Sequence, residues 1–206
     1  MQQRDAALTT KKLLSAAEAL FDEKGYYPVT LKEIGKKTGC SSALVAYYFG
    51  GKQGLYQAVI NQQLGRIHFL QNETETTELS PLKRLTFFLT HLLRLQLTPP
   101  GHLNLVYKEV LSPSGLLDDS AWQQILAMEK YMDQLLRDAA KEGEIRPFKS
   151  EKELSYFSFT LTSITETLFL VKGWQMPLNP EGKPLDEVLD DLVQFTLAPI
   201  KLEKGA

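Results

Sequence analysis

Thr30-Leu-Lys-Glu-Ile-Gly-Lys-Lys-Thr-Gly-Cys-Ser-Ser-Ala-Leu-Val-Ala-Tyr-Tyr-Phe-Gly-Gly-Lys52 is the stretch that decides the fold. Thr30 and Glu33 have capping-box spacing: the Thr hydroxyl can accept from the Glu33 amide while the carboxylate reaches back to the amide of Thr30. A helix therefore starts there, with Leu31 and Ile34 on one face and Gly35 leaving room for a neighbour. Gly39 ends it at a position suited to a left-handed terminus. Ser41 or Ser42 then caps a second short helix, in which Leu44 and Val45 turn inward while Ser42, Ala43 and Ala46 turn outward.

Two short helices across a tight turn are the form of a helix-turn-helix, whose second helix enters the major groove while the first crosses the phosphate backbone. Small outward residues let the backbone approach base edges. Tyr47, Tyr48 and Lys52 at the far end are phosphate-contacting groups, which set register without reading sequence. Base reading falls mainly to Ser42 and Ala43. No Arg or Gln stands there for a bidentate base contact, so operator shape carries part of the readout. Periodicity alone fits equally an ordinary helical hairpin with Tyr47, Tyr48 and Phe49 packed in a core.

Residues 9–60 resemble the amino-terminal domain of the TetR family of transcriptional repressors. Leu13, Ala16, Ala17, Leu20, Phe21, Lys24, Gly25, Thr30, Ile34, Gly39, Ser41, Tyr47, Phe49, Lys52, Leu55 and Tyr56 stand where that family's pattern puts them. The resemblance implies that 16–21 lie in a first helix beneath the motif and that Tyr26 or Tyr27 fills the three-helix core. It also places Thr30 near a phosphate, makes 41–47 the recognition helix, and has Lys52 grip a phosphate. Ala46 stands where many members carry an aromatic, and Tyr48 where many carry His. The run 49–56 looks like the CecR-like branch.

Composition agrees with this placement. A chain of 206 residues, 43% hydrophobic, can bury a sizeable core in one or two domains. The net charge of −2 is unevenly divided: residues 1–60 hold eight Lys or Arg against five Asp or Glu, and 61–206 hold fifteen against twenty. A basic head on an acidic body suits a protein of which only the head meets phosphate. The single Cys40 excludes an intramolecular disulfide and fits a reducing cytoplasm, and it reads as a small core residue or a redox-sensitive one. No targeting segment or membrane span is read, so the expected protein is cytoplasmic with no membrane partner.

The rest reads as helix throughout, which gives an all-α fold of about nine helices. The fourth is expected from Gly51 to about Gln71, with 72–79 as a loop. Ser80-Pro81 opens a fifth helix with a stripe of Leu82, Leu85, Leu89, Leu92 and Leu93, and Pro99-Pro100-Gly101 ends it. A sixth spans about His102 to Leu111. Ser120 with Gln123, and Ser150 with Glu153, repeat the capping-box spacing ahead of a seventh helix from about Ala121 to Glu142 and an eighth to about Gly173. Pro177 to Pro184 is a loop, and the ninth helix runs from Leu185 to about Ala198. The expected division is a DNA-binding domain at 1–50 and an effector-binding and dimerisation domain at 51–206.

The eighth and ninth helices carry more apolar surface than a small helical domain can cover. Phe157, Leu161, Ile164, Leu168, Leu189, Leu192 and Val193 are the expected dimerisation residues of a two-fold four-helix bundle, as in relatives, which pairs two heads on a palindromic double-stranded DNA operator. The resemblance further implies a small-molecule effector that releases DNA. Phe69, Phe88, His91, Tyr107, Trp122, Phe159 and Glu166 are the candidates to receive it, although each taken singly also reads as core or surface. Such an effector is largely apolar or aromatic.

Enzyme chemistry lacks its residues. His68, His91 and His102 make no metal-ligating spacing with each other or with Cys40, so neither a metal nor a cofactor is expected. Gly51-Lys52 lacks the rest of a phosphate-binding loop, and no nucleophile elbow occurs. The expected function is a ligand-responsive repressor, and the alternative is a DNA-binding or architectural protein without an effector.

Overall fold

The computed structural model describes residues 2–97, 103–174 and 182–202, with the side chains of 2–5, 165 and 168–174 outside that description. Nine α-helices organise these residues: α1 (Gln2–Lys24), α2 (Leu31–Thr38), α3 (Ser42–Phe49), α4 (Lys52–Glu75), α5 (Pro81–Leu97), α6 (Asn104–Leu111), α7 (Asp119–Lys141), α8 (Glu151–Trp174) and α9 (Leu185–Leu197). A short 3₁₀ turn, Ala198–Ile200, follows α9. Among the described residues there is no strand, only an isolated antiparallel bridge between Ile145 and Lys201. The all-α expectation holds. The helix-ending Pro99-Pro100-Gly101, the expected sixth-helix start at His102 and residues 177–181 of the expected loop lie outside the described residues.

Local hydrogen bonding explains where helices begin and stop. The Glu33 amide donates to Thr30 Oγ1 at 3.2 Å, as the capping box requires. Lys24 Nζ meets the Glu33 carboxylate at 2.5 Å, an ion pair tying α1 to α2; that ammonium first, and the Thr30 main chain after it, hold the carboxylate below its ordinary pKa. At α8 the Glu153 amide donates to Ser150 Oγ at 3.2 Å, and the carboxylate accepts from the Lys149 amide, one residue earlier than the motif prescribes. At α7 the cap is Asp118, whose Oδ1 accepts from the Ala121 amide at 2.8 Å, so Ser120 lies inside the first turn rather than before it. α4 outruns its expected end because threonine hydroxyls close its last turns: Thr74 donates to the Leu70 carbonyl and Thr77 to that of Thr74, each at 2.7 Å. The hydroxyls add second donors there: the Thr74 carbonyl also accepts from the Thr77 amide at 3.3 Å.

The helices pack as two compact units, one of residues 1–64 with 104–122, the other of residues 65–103 with 123–206. The unit that holds the helix-turn-helix is thus larger than residues 1–50 and includes α6. Its core is Leu13, Ala17, Leu20, Phe21, Val29, Ile34, Val45, Leu55, Tyr56, Val59 and Ile60. Tyr26 is the aromatic that joins this core, its ring edge-on to Tyr56 at 5.0 Å, whereas Tyr27 is 75% exposed. In the second unit α5 packs against both α8 and α9. Leu85, Phe88, Leu89, Leu92 and Leu93 of α5 are buried there with Met128, Met132, Leu136, Leu154, Leu161, Leu189, Val193 and Leu197.

Candidate nucleic-acid interface and effector region

The reading surface is built by two caps and two close approaches. Ser41 Oγ accepts from the Leu44 amide at 3.1 Å and starts α3, after Gly39 has ended α2 at φ 72°, a left-handed conformation that costs glycine little. A Cβ on Gly35 would lie 2.5 Å from the Cys40 carbonyl oxygen, so glycine is what lets the turn fold back on α2. A Cβ on Gly54 would lie 1.9 Å from the Phe49 carbonyl oxygen, so the end of α3 can rest on the start of α4 only without a side chain there. Sequence reasoning overlooked Gly54, whose only signal was the close run of glycines at 50, 51 and 54.

On the exposed side of α3 stand Ser42, Ala43, Ala46 and Tyr47, with Tyr47 81% exposed, while Val45 is fully buried. Tyr48 is half-buried and edge-on to Tyr47 at 5.6 Å. Thr30 and Ser41 are exposed, and each hydroxyl, though accepting at its cap, keeps its own proton for an outside acceptor. Lys36 and Lys37, also exposed in the last turn of α2, were not among the residues singled out from sequence.

Lys52 opens α4, and its ammonium is held by the protein. Nζ donates to the Tyr27 carbonyl at 2.9 Å and sits 4.3 Å above the Tyr26 ring. An ammonium has three donors, so this anchoring leaves capacity for a phosphate oxygen.

Behind this surface, polar side chains at buried positions bind α6 to α1 and α4. Gln63 of α4 is fully buried: its Nε2 donates to Glu18 of α1 at 2.8 Å, and its Oε1 accepts from the Leu105 and Val106 amides, at 3.1 and 3.2 Å, in the first turn of α6. Asp22 of α1 accepts from Asn104 Nδ2 at 2.9 Å, and Lys108 Nζ donates to its carbonyl at 2.7 Å. Tyr56 donates to the buried Glu109 carboxylate at 2.6 Å, and that carboxylate also accepts from the amide and hydroxyl of Ser114. Burial first, and the Glu109 carboxylate second, push the Tyr56 phenol well above its ordinary range, so it stays a donor.

The expected effector residues are divided between the two units. Tyr107 is buried and Trp122 half-buried in the first unit. In the second, Phe88 is buried with its ring edge-on to Tyr131 at 5.0 Å, while Phe69 and Phe159 are 62% and 69% exposed. Glu166 is half-buried; burial, and after it the Glu129 carboxylate, raise its pKa. Only His91 lines the groove described here, a space of about 470 Å³ between α5 and α9 bordered by Leu79, Leu82, Thr86, Phe87, Asp190 and Leu197 among others. Among the expected dimerisation residues, Leu161, Leu189 and Val193 are buried inside the chain's own core, and Phe157, Ile164 and Leu192 are half-buried. The side chain of Leu168 lies outside the described residues. Among the described residues, the exposed aromatics of α8 and α9 are Tyr156, Phe159 and Phe195. Periodicity placed the apolar stripe correctly but could not say which part of it the chain covers itself.

No helix among the described residues is long and apolar enough to cross a membrane. Residues 13–59 match the family model described as "Bacterial regulatory proteins, tetR family". The HTH-type transcriptional regulator RutR of Escherichia coli K12 is 27% identical over 147 residues, which cover 70% of this chain and 69% of RutR. Two solved structures share the fold. The ketosteroid transcriptional regulator KstR2 of Mycobacterium tuberculosis has a TM-score of 0.72 at 17% identity, over 94% of this chain and 95% of that one. AibR in complex with isovaleryl coenzyme A and operator DNA has a TM-score of 0.71 at 17% identity, over 91% and 97%. With the caps, the turn and the exposed α3 face in place, these likenesses identify residues 13–59 as a DNA-binding domain of the kind found in the TetR family of transcriptional regulators.

Proposed function

We propose that the protein is a ligand-responsive transcriptional repressor that binds a palindromic double-stranded operator as a homodimer and leaves it when a small, largely apolar molecule binds. The observation that carries this reading is the exposed face of Ser42, Ala43, Ala46 and Tyr47 beside the anchored ammonium of Lys52. In this reading Thr30, Ser41, Tyr47, Tyr48 and Lys52 hold phosphates, and Ser42 and Ala43 meet base edges. In this reading the head works in the cytoplasm, and the run 49–56 resembles the CecR-like branch. A solved relative bound to both an acyl coenzyme A and operator DNA supports coupling of the two ligands.

The dimer buries the outer faces of α8 and α9, where Tyr156, Phe159 and Phe195 stand exposed. Exposed aromatics are typical anchors of protein interfaces. Effector binding shifts the population toward a state in which the two heads no longer match successive major grooves. Because α6 is bonded into the head, it is the element through which residues beyond 51 act on α1 and α4.

Fluorescence anisotropy with duplex from the gene's own upstream region, against scrambled competitor at fixed salt, tests the proposal. Two protomers per site are expected, with binding lost on adding effector. Lys52→Ala should weaken all duplexes alike and reduce the salt slope by about 1. Operator affinity unchanged in a folded Lys52→Ala protein would overturn this docking geometry.

A further inference from the structure

The groove between α5 and α9 has a polarity along its length that an undirected surface cleft would lack. α5 and α9 run antiparallel here: Thr90 donates to Asp190 at 3.3 Å and Arg94 to Asp186 at 2.6 Å, while Lys83 and Lys201 fall at the opposite end. The floor between is apolar, made by Leu79, Leu82, Phe87 and Leu197. One end therefore carries two ammonium groups and the other a carboxylate.

The groups at each end are positioned rather than incidental. Lys201 is fixed by its backbone, bridged to Ile145 and donating to the Ala198 carbonyl, and its Nζ donates to Gln194 Oε1. Lys83 has no ion-pair partner among the described residues. At the far end His91 Nδ1 lies 2.8 Å from the Phe87 carbonyl, an acceptor, so Nδ1 is the donor of that bond. The ring also lies tilted against Phe87, with centroids 3.9 Å apart.

From this charge pattern we propose that the groove is a binding site for a medium-chain amphipathic anion: a carboxylate head between Lys83 and Lys201, its hydrocarbon chain over Phe87 and Leu82, its tail near His91. The Asp190 carboxylate repels the head from the other end and so sets the orientation. Lys83 and His91 are eight residues apart on α5, a rise of about 12 Å, which accommodates an extended chain of about eight carbons. The volume of about 470 Å³ falls within the range of small-molecule sites. The site does not overlap the proposed dimer face: Asp190, Gln194, Leu197 and Lys201 share one side of α9 and its continuation, and Phe195 projects from another. The location and chemistry of the site stand on the second unit alone. Its use as the effector site rests on the ligand-responsive reading above.

The test is a titration of the full chain with sodium octanoate, followed by NMR of the Leu79, Leu82 and Leu197 methyls. Octanol and octyltrimethylammonium serve as charge controls. Saturable shifts with octanoate are expected, with at least tenfold weaker binding in the Lys83→Ala/Lys201→Ala variant and in Thr86→Trp, which fills the groove. Octanoate leaving these methyls unmoved, octanol binding as tightly, or the double lysine variant binding unchanged would each overturn the assignment. Anisotropy on operator under the same saturation is read separately. Retained DNA with octanoate bound would count against this groove as the effector site while leaving the binding site in place.

Discussion

The two compact units hold their helices together by different chemistry. In the first, α6 is joined to α1 and α4 by Gln63, Asp22, Asn104, Lys108 and the Tyr56–Glu109 pair, most of them at buried or half-buried positions. In the second, α5 shares a core of leucines and Phe88 with α8, α9 and two methionines of α7. A buried hydrogen bond tolerates little displacement, because an orphaned donor or acceptor costs about 1–3 kcal/mol. An apolar contact can slide or repack at lower cost. The contrast assigns rigidity to the part that must keep its register and adaptability to the part with room for a ligand.

Four substitutions test this contrast. The largest effect is expected from Gly54→Ala, since the new Cβ would meet the Phe49 carbonyl oxygen at 1.9 Å and must push apart α3 and α4. We expect a loss of more than about 3 kcal/mol by chemical denaturation; a stability equal to wild type would mean that the junction is soft. Next comes Gln63→Leu, apolar and of similar size, which removes one partner of Glu18 and the side-chain acceptor of two amides of α6: about 2–3 kcal/mol, read as a lowered urea midpoint. Its counterpart in the second unit, Leu92→Met, should cost less than about 1.5 kcal/mol although Leu92 is as fully buried as Gln63. Equal losses at 63 and 92 would erase the distinction between the units.

The smallest effect is expected from Glu166→Gln. Glu166 titrates above its ordinary value of 4.5 because of burial and Glu129, so the folded state holds that proton more tightly than the unfolded chain does. Its charged form therefore opposes folding at pH 7, and the opposition fades as pH falls through the raised value toward the ordinary one. Since the residue is half-exposed, the variant should gain only a few tenths of a kcal/mol at pH 7 and nothing near pH 4. A thermal melt series across that range with no change in the difference would remove the cause.

The features legible from sequence were those fixed within a few residues. Thr30, Gly39, Ser41 and Ser150 mark helix ends by hydrogen bonds to atoms three or four positions away, and all four act as read. Where a cap competed with a neighbour the reading slipped by a residue or two, as at Asp118 against Ser120. The Glu33 carboxylate gained a second partner in Lys24, nine positions back, which no local rule could weigh. The effector candidates were harder still. Whether Phe159 faces inward or Leu161 outward depends on the rotation of α8 against α5, and a helix apolar on several sides leaves that rotation open. Gln63 read as an unremarkable polar residue because its partners lie forty residues away in both directions.

The anchor for Lys52 is assembled from the Tyr27 main chain and the Tyr26 ring, with no contribution from α3. On the proposed docking, positioning and reading would thereby be uncoupled within a single motif. Residues 42, 43 and 46 could then drift through mutation while the grip beside them is inherited unchanged, so a duplicated copy could acquire a new target site without first losing its hold on DNA.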